Sequence, residues 1–267
     1  MRRNSFLAIL VRYVLPWLAG SAVALAGATN SQTPDAKYLE LGRQFPWVVR
    51  LHTVCEAPDT AKVYQREGSA VIIGPHWLLT AAHATENVKS AVVYVDGVEY
   101  AIASLIRHTA YSAERVGFHD IALGYSAQEF KFPAYPALYA ADDELHKTAV
   151  IVGYGLHGDL KTGATQFDSQ RRAGQNQVAR LENAVLICDS DRATQLPMEF
   201  LLASGDSGGG LFIDGKLAGI NSFVGAQDKI PDGNYGDESG HTRISLYVEW
   251  IEKCQAQYLA EVAAAPK

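Results

Sequence analysis

The chain has 267 residues, of which 48% are hydrophobic and 19% charged, and its formal charge is −6. That balance requires a globular core and excludes a disordered chain. The acidic sign, with no block of basic residues, excludes nucleic acid as a partner.

The N-terminal stretch MRRNSFLAILVRYVLPWLAGSAVALAGA opens with Arg2 and Arg3, turns apolar after Arg12 and ends in small residues. Ala24-Leu25-Ala26 and Ala26-Gly27-Ala28 both fit an A-x-A cleavage signal. The apolar run after Arg12 is about 14 residues, short of the ~20 needed to cross a bilayer. Residues 1–28 are therefore expected to be a secretory signal peptide, an uncleaved anchor being the competing reading. The protein is expected to be secreted or periplasmic, without stable membrane association. The paired arginines also fit twin-arginine export. Residues 1–28 hold three arginines and no acid, so their removal leaves a charge of −9.

Residues 29–44 form a polar N-terminal segment. From 45 to 125, short apolar runs alternate with turn signals: FPWVVRLHTV, SAVIIG, HWLLTAAH, AVVYVDGVEYAIASLI and IALGY all read as strands. The Asp-Gly in VDGV predicts a hairpin. Residues 126–147, with two prolines and little periodicity, read as a connector. The β-rich style returns over 148–245, with a second Asp-Gly hairpin in LFIDGKLAGI. Only 246–267 reads as helix and tail, with Leu246, Trp250, Ile251, Cys254, Tyr258 and Leu259 near one face.

The three cysteines, Cys55, Cys188 and Cys254, are an odd count, so at least one is left without an intrachain partner. Their spacing makes no zinc site, and no metal or other cofactor is expected. The acidic, Gly-rich QDKIPDGNYGDESG reads as a solvated loop in preference to a calcium loop.

Three segments carry chemistry. LLTAAHA places His83 just after a strand, HDIALG places Asp120 at the start of one, and SGDSGGG places Ser207 among small residues ahead of a hairpin. A serine hydroxyl is a weak nucleophile and needs a base. Imidazole exchanges protons near neutral pH, and a carboxylate can hold its other nitrogen. GDSGG also satisfies G-x-S-x-G, the nucleophile elbow of α/β-hydrolases, and Asp232 and His241 follow Ser207. That elbow requires a helix after the serine. A hairpin stands there, so the elbow reading is rejected.

In this order and spacing, T-A-A-H, D-I-A-L and G-D-S-G-G resemble the trypsin-like (chymotrypsin-fold) serine peptidases over about Phe45 to Glu252. The resemblance implies two antiparallel six-stranded β-barrels with a C-terminal helix. The first barrel would span 45–125 with His83 and Asp120, and the second 148–245 with Ser207. It implies peptide-bond hydrolysis on protein or peptide substrates, with an oxyanion hole from the N–H groups of Gly205 and Ser207. It also places Leu201 at the base of the specificity pocket, Ser222 and Phe223 on the substrate strand, and Val224 where an open pocket often has glycine. An apolar substrate preference follows, unless Asp237 or Glu238 reaches that pocket.

The chain departs from the family in places. The Ile-Val-Gly-Gly activation sequence is absent, so the group that neutralises Asp206 is left open. Ala84 and Ala203 stand where cysteines are common, which suggests a bacterial secreted branch. The alternative to an enzyme is a catalytically inactive homologue that binds peptides.

Overall fold

The computed structural model describes residues 27–190, 195–226 and 228–264. The predicted signal, apart from Gly27 and Ala28, lies outside them. The chain enters through β1 (Ala28–Thr29) and α1 (Asp35–Arg43). Seven strands follow: β2 (Val48–Glu56), β3 (Val63–Gly74), β4 (Trp77–Thr80), β5 (Val88–Val95), β6 (Val98–Ala101), β7 (Ser104–Arg107) and β8 (Ala122–Tyr125). They form an antiparallel sheet in the order β6-β5-β2-β3-β4-β8-β7. Along β2, Val49, Leu51, Thr53 and Cys55 are buried while Arg50, His52 and Val54 are less so, the period-2 pattern of a strand with one inward face. Asp96 and Gly97 turn β5 into β6 with φ of 49° and 79°, the doubly positive geometry that Asp-Gly adopts in two-residue hairpins.

The second half contains β9 (Thr148–Gly153), β10 (His157–Asp159), β11 (Gly163–Gln166), β12 (Arg172–Glu182), β13 (Val185–Asp189), β14 (Phe200–Leu201), β15 (Gly210–Ile213), β16 (Lys216–Gly225) and β17 (Glu238–Arg243). Six of these close a barrel, β12-β13-β17-β16-β15-β9. The two-barrel expectation therefore holds with full closure in the second half. The first half is a seven-stranded sheet whose edges, β6 and β7, do not pair with each other. A small additional sheet has the order β11-β10-β1-β14.

The expectation of no helix before the C-terminus is corrected by α1. Its sequence is polar and lacks a wide apolar stripe, yet Tyr38 is wholly buried. The Tyr38 hydroxyl accepts the Asn30 N–H at 3.0 Å and donates to the Glu199 carbonyl at 3.2 Å. A side chain at Gly42 would stand 2.5 Å from the Arg171 carbonyl, so α1 lies directly against the start of β12.

The C-terminal helix, α2 (Val248–Ala264), buries Ile251. Tyr258 packs edge-on against Trp77 at 5.5 Å and against Tyr125 at 4.7 Å. Leu246 and Leu259 do not join that face. Leu246 lies in a short turn before the helix, and both are about half exposed. One apolar cluster runs through both halves, joining Val71, Leu79 and Ile121 of the first to Val152, Phe212 and Ile220 of the second. The two halves thus share a core, and loops from each meet along its rim.

Candidate active site

Pairing of β4 with β8 brings His83 and Asp120 together. Thr80 at the end of β4 lies opposite Ala122 at the start of β8. His83 follows in a tight 3₁₀ turn (His83–Thr85), and Asp120 stands two residues before β8. The Asp120 carboxylate accepts the His83 backbone N–H on Oδ1 at 2.8 Å and meets His83 Nδ1 through Oδ2 at 2.7 Å. The Ser222 hydroxyl donates to the same Oδ2 at 2.5 Å. Asp120 is only 2% exposed. Burial works to raise its pKa, but the bonds from His83 and Ser222 outweigh it and hold the carboxyl below the ordinary range. His83 Nδ1 is thereby set up as the N–H donor, which leaves Nε2 as the basic nitrogen. The His83 side chain is about a third exposed, and its backbone carbonyl accepts Arg66 Nη1 at 2.8 Å.

Ser207 sits in the loop between β14 and β15. Strand β3 holds this loop through Ser69, a residue that no motif announced. The Ser69 N–H donates to the Ser207 carbonyl at 2.9 Å, and the Ser69 hydroxyl donates to the Gly205 carbonyl at 2.8 Å. Gly205 has φ of +90° and Gly208 has φ of +87°, backbone states open to glycine. A side chain on Gly208 would also lie 2.1 Å from both the Ser69 carbonyl and the Thr80 hydroxyl. Among the described residues, no protein acceptor takes the N–H of Gly205 or of Ser207. Two donors at the nucleophile are thus left for a ligand oxygen.

Residues 42–251 match the family described as Trypsin. The chain belongs to the trypsin family. As a member of it, the protein is a serine-type endopeptidase by descent. It is 31% identical over 191 residues to a trypsin of Simulium vittatum, covering 62% of this chain and 74% of that one. It is 25% identical over 207 residues to the serine protease SP24D of Anopheles gambiae, covering 70% and 71%. Among solved structures it shares its fold with neuropsin, a serine protease expressed in the limbic system of mouse brain. That match has a TM-score of 0.61 at 20% identity and covers 80% of this chain and 96% of that one. An HL collagenase structure matches with a TM-score of 0.61 at 19% identity, over 79% and 94%. The two curated relatives are insect proteins, so the bacterial branch inferred from absent cysteines is not supported.

Three cavities surround the trypsin-family motifs. The largest, about 610 Å³, is lined by both His83 and Ser207, together with Arg66, Glu67, Leu156 and Phe167. The second, about 240 Å³, lies on the other side of His83, between Tyr111, Val116 and Phe223. The third, about 210 Å³, adjoins Ser207 and is lined by Leu202, Ala203, Ser204, Ser222, Phe223, Val224 and Pro231. Leu201, expected at the base of that pocket, points elsewhere. It is wholly buried in β14, paired with Ala28, among Leu160, Ala164 and Ala203. Leu202, just past the end of β14, lines the pocket instead. Asp237 accepts the Gly233 N–H at 2.9 Å, and Glu238 is bound to Arg180. Neither lines the pocket.

The remaining candidates are structural. His241 is wholly buried and faces Asn221 Oδ1 at 2.9 Å, and burial depresses its pKa to about 3. Asp232 caps its own loop by accepting the Asn234 N–H at 3.1 Å. All three cysteines are free thiols, Cys55 and Cys188 buried and Cys254 half-buried.

Proposed function

We propose that this trypsin-family chain is a secreted serine endopeptidase that hydrolyses peptide bonds through an acyl-enzyme. The observation that carries the reading is the two-point grip of Asp120 on His83, with Ser207 on the wall of the same cavity. In this reading Ser207 Oγ attacks the scissile carbonyl carbon while its proton passes to His83 Nε2. The carbonyl electrons move onto oxygen, which is held by the N–H groups of Gly205 and Ser207. Collapse breaks the C–N bond, and His83 returns the proton to the leaving amine. Water repeats the sequence and frees the acid. Asp120 keeps Nδ1 protonated and offsets the imidazolium charge. Each N–H aimed at the oxyanion contributes about 3 kcal/mol to the transition state.

The substrate is a protein or peptide, and the side chain before the scissile bond is small or medium and apolar. The pocket beside Ser207 is small, and among the described residues none with a charged side chain lines it. A guanidinium or ammonium placed there would lose hydration without gaining a partner. Val224 and Phe223 narrow it further.

The test is labelling with a fluorophosphonate alongside hydrolysis of peptides that differ only at that one position. Wild type should label at Ser207 and cleave the apolar series, and Ser207→Ala should do neither, with turnover down by roughly 10⁶. Turnover near wild type in Ser207→Ala would overturn the mechanism. An unlabelled, inert wild type would favour the peptide-binding homologue. Selection for Arg or Lys would overturn the apolar pocket alone.

A further inference from the structure

Away from His83 and Ser207, a cavity of about 340 Å³ opens between the start of β2, the β5–β6 hairpin and the loop that leads into β12. None of its lining residues belongs to the three cavities around the trypsin-family motifs. Two guanidinium groups line it, those of Arg50 and Arg171, together with Tyr154, Ser169 and the exposed Asp96.

Arg171 is half-buried and donates only to neutral groups. Its Nε meets the Gly42 carbonyl at 2.7 Å, and its Nη1 meets the Val48 carbonyl at 2.7 Å, the Pro46 carbonyl at 3.4 Å and the Tyr154 hydroxyl at 3.0 Å. Among the described residues no carboxylate pairs with it, and its Nη2 has no acceptor. Arg50 is held ready, stacked 4.6 Å over the Tyr94 ring, and its Nη1 donates to Ser169 Oγ at 3.0 Å. The carboxylate beside it, Glu67, stands 3.8 Å from Arg50 Nε and places its other oxygen against His52 at 2.8 Å. A half-buried guanidinium with no counter-ion is unfavourable, and this cavity stands open above one.

The hydroxyls repeat the pattern. Ser169 and Tyr154 each accept from a guanidinium, so the O–H hydrogen of each turns elsewhere, and among the described residues nothing accepts it. Burial raises the pKa of Tyr154, which therefore keeps that hydrogen at neutral pH, and both guanidinium groups act on it. Ser169 is held at φ of +59°, a backbone state that is costly for serine and persists where the surroundings impose it. Four side chains thus offer donors, and Asp96 is the one opposing charge in the lining.

We propose that this cavity binds a doubly charged tetrahedral oxyanion, a phosphoryl or sulfuryl group, between Arg50 and Arg171, with Ser169 and Tyr154 donating to its remaining oxygens. A guanidinium presents a planar pair of N–H donors that matches two oxygens of such a group. Two guanidinium groups balance a dianion, whereas a carboxylate leaves one of them unbalanced. Sulfate and dianionic phosphate accept on every oxygen, which suits a cavity made of donors. The space exceeds that of the group itself, so a free ion and a monoester both fit. The inference does not depend on Ser207 being a nucleophile.

Isothermal titration of the exported protein with sodium sulfate and with inorganic phosphate, against sodium acetate at equal ionic strength, tests the site. Binding is read directly because sulfate stabilises folded proteins without a site. Sulfate and phosphate should bind saturably, one per chain, and acetate should not. Arg50→Gln should weaken sulfate binding by roughly 30-fold or more. Ser169→Ala should weaken it by about 10-fold. Asp96→Asn, which removes the opposing charge, should tighten it by about 3-fold or more. Arg171 is left in place, because it also ties the end of α1 to the start of β2. Should Arg50→Gln fail to fold, Ser169→Ala and Asp96→Asn carry the test by moving affinity in opposite directions. Tighter binding of phenyl phosphate than of inorganic phosphate would assign the site to esters, and the reverse to the free ion. The absence of saturable heat, acetate bound as tightly as sulfate, or an unchanged affinity in folded Arg50→Gln or in Ser169→Ala would overturn the proposal.

Discussion

Replacing Ser222 with alanine tests how Asp120 is held. The Ser222 hydroxyl donates to Asp120 Oδ2 at 2.5 Å, inside a site where Ser222 is 5% and Asp120 2% exposed. A hydrogen bond to a charged group contributes roughly 1.5–3 kcal/mol. Two donors from His83 remain on the carboxylate after the change, which places the expected cost near the lower end, about 2 kcal/mol. At about 2–4 °C per kcal/mol for a chain of this size, melting should drop by roughly 4–8 °C at pH 7. The pH dependence follows from the depressed pKa of Asp120. Its stabilising charge is present above the ordinary carboxylate pKa and lost as pH falls through the lower folded value. Ser222→Ala raises that folded value, so the gap between variant and wild type should be wide at pH 7 and close under acid. Activity should fall less than about 10-fold, because His83 keeps its tautomer. Asp120→Asn, which disturbs that tautomer, should cost about 10⁴ in kcat. Thermal unfolding at neutral and acid pH, with kcat/KM at pH 8, makes the comparison. A melting difference that does not change with pH would refute the reasoning, as would a kcat loss equal to that of Asp120→Asn.

Two further changes probe the frame around the site. Glu144 in the connector is wholly buried and receives Arg243 Nε at 2.9 Å, Arg243 Nη2 at 2.7 Å and the Ser245 hydroxyl at 2.8 Å. Arg243→Met strands that carboxylate and should cost about 3–5 kcal/mol in urea unfolding at pH 7, most of it recovered by adding Glu144→Gln; a cost below about 1 kcal/mol would show that the pair is not needed. Burial raises Glu199 to about 7, so its folded form keeps a proton that the unfolded chain has lost, and it weakens the fold as pH rises from the ordinary carboxylate value toward 7. Glu199→Gln should therefore stabilise by roughly 1–3 kcal/mol at pH 8 and by little at pH 4. Equal effects at both pH values would count against the buried charge.

The readable parts of this protein were those where neighbouring residues dictate the backbone. Asp96-Gly97 and Asp214-Gly215 could be read as hairpins because two consecutive positive φ angles suit few other pairs. The run from Gly205 to Gly210 announced a nucleophile loop because only small residues allow such close approach of strands and substrate. His83 and Asp120 could be read as partners from their motifs, although 37 residues apart. What only the tertiary structure decided were the meetings that no local pattern encodes. Ser69 grips the loop of Gly205 from 136 residues away, through the register of β3 against the barrel. The polar α1 is a helix because Tyr38 and Gly42 find a surface on β12, not because its own periodicity demands one. That Leu202 and not Leu201 lines the pocket depends on the pairing of β14 with β1, which buries Leu201 against Ala28. Spacing along a chain constrains backbone angles, whereas which side chains meet is set by register and packing between segments that the sequence keeps far apart.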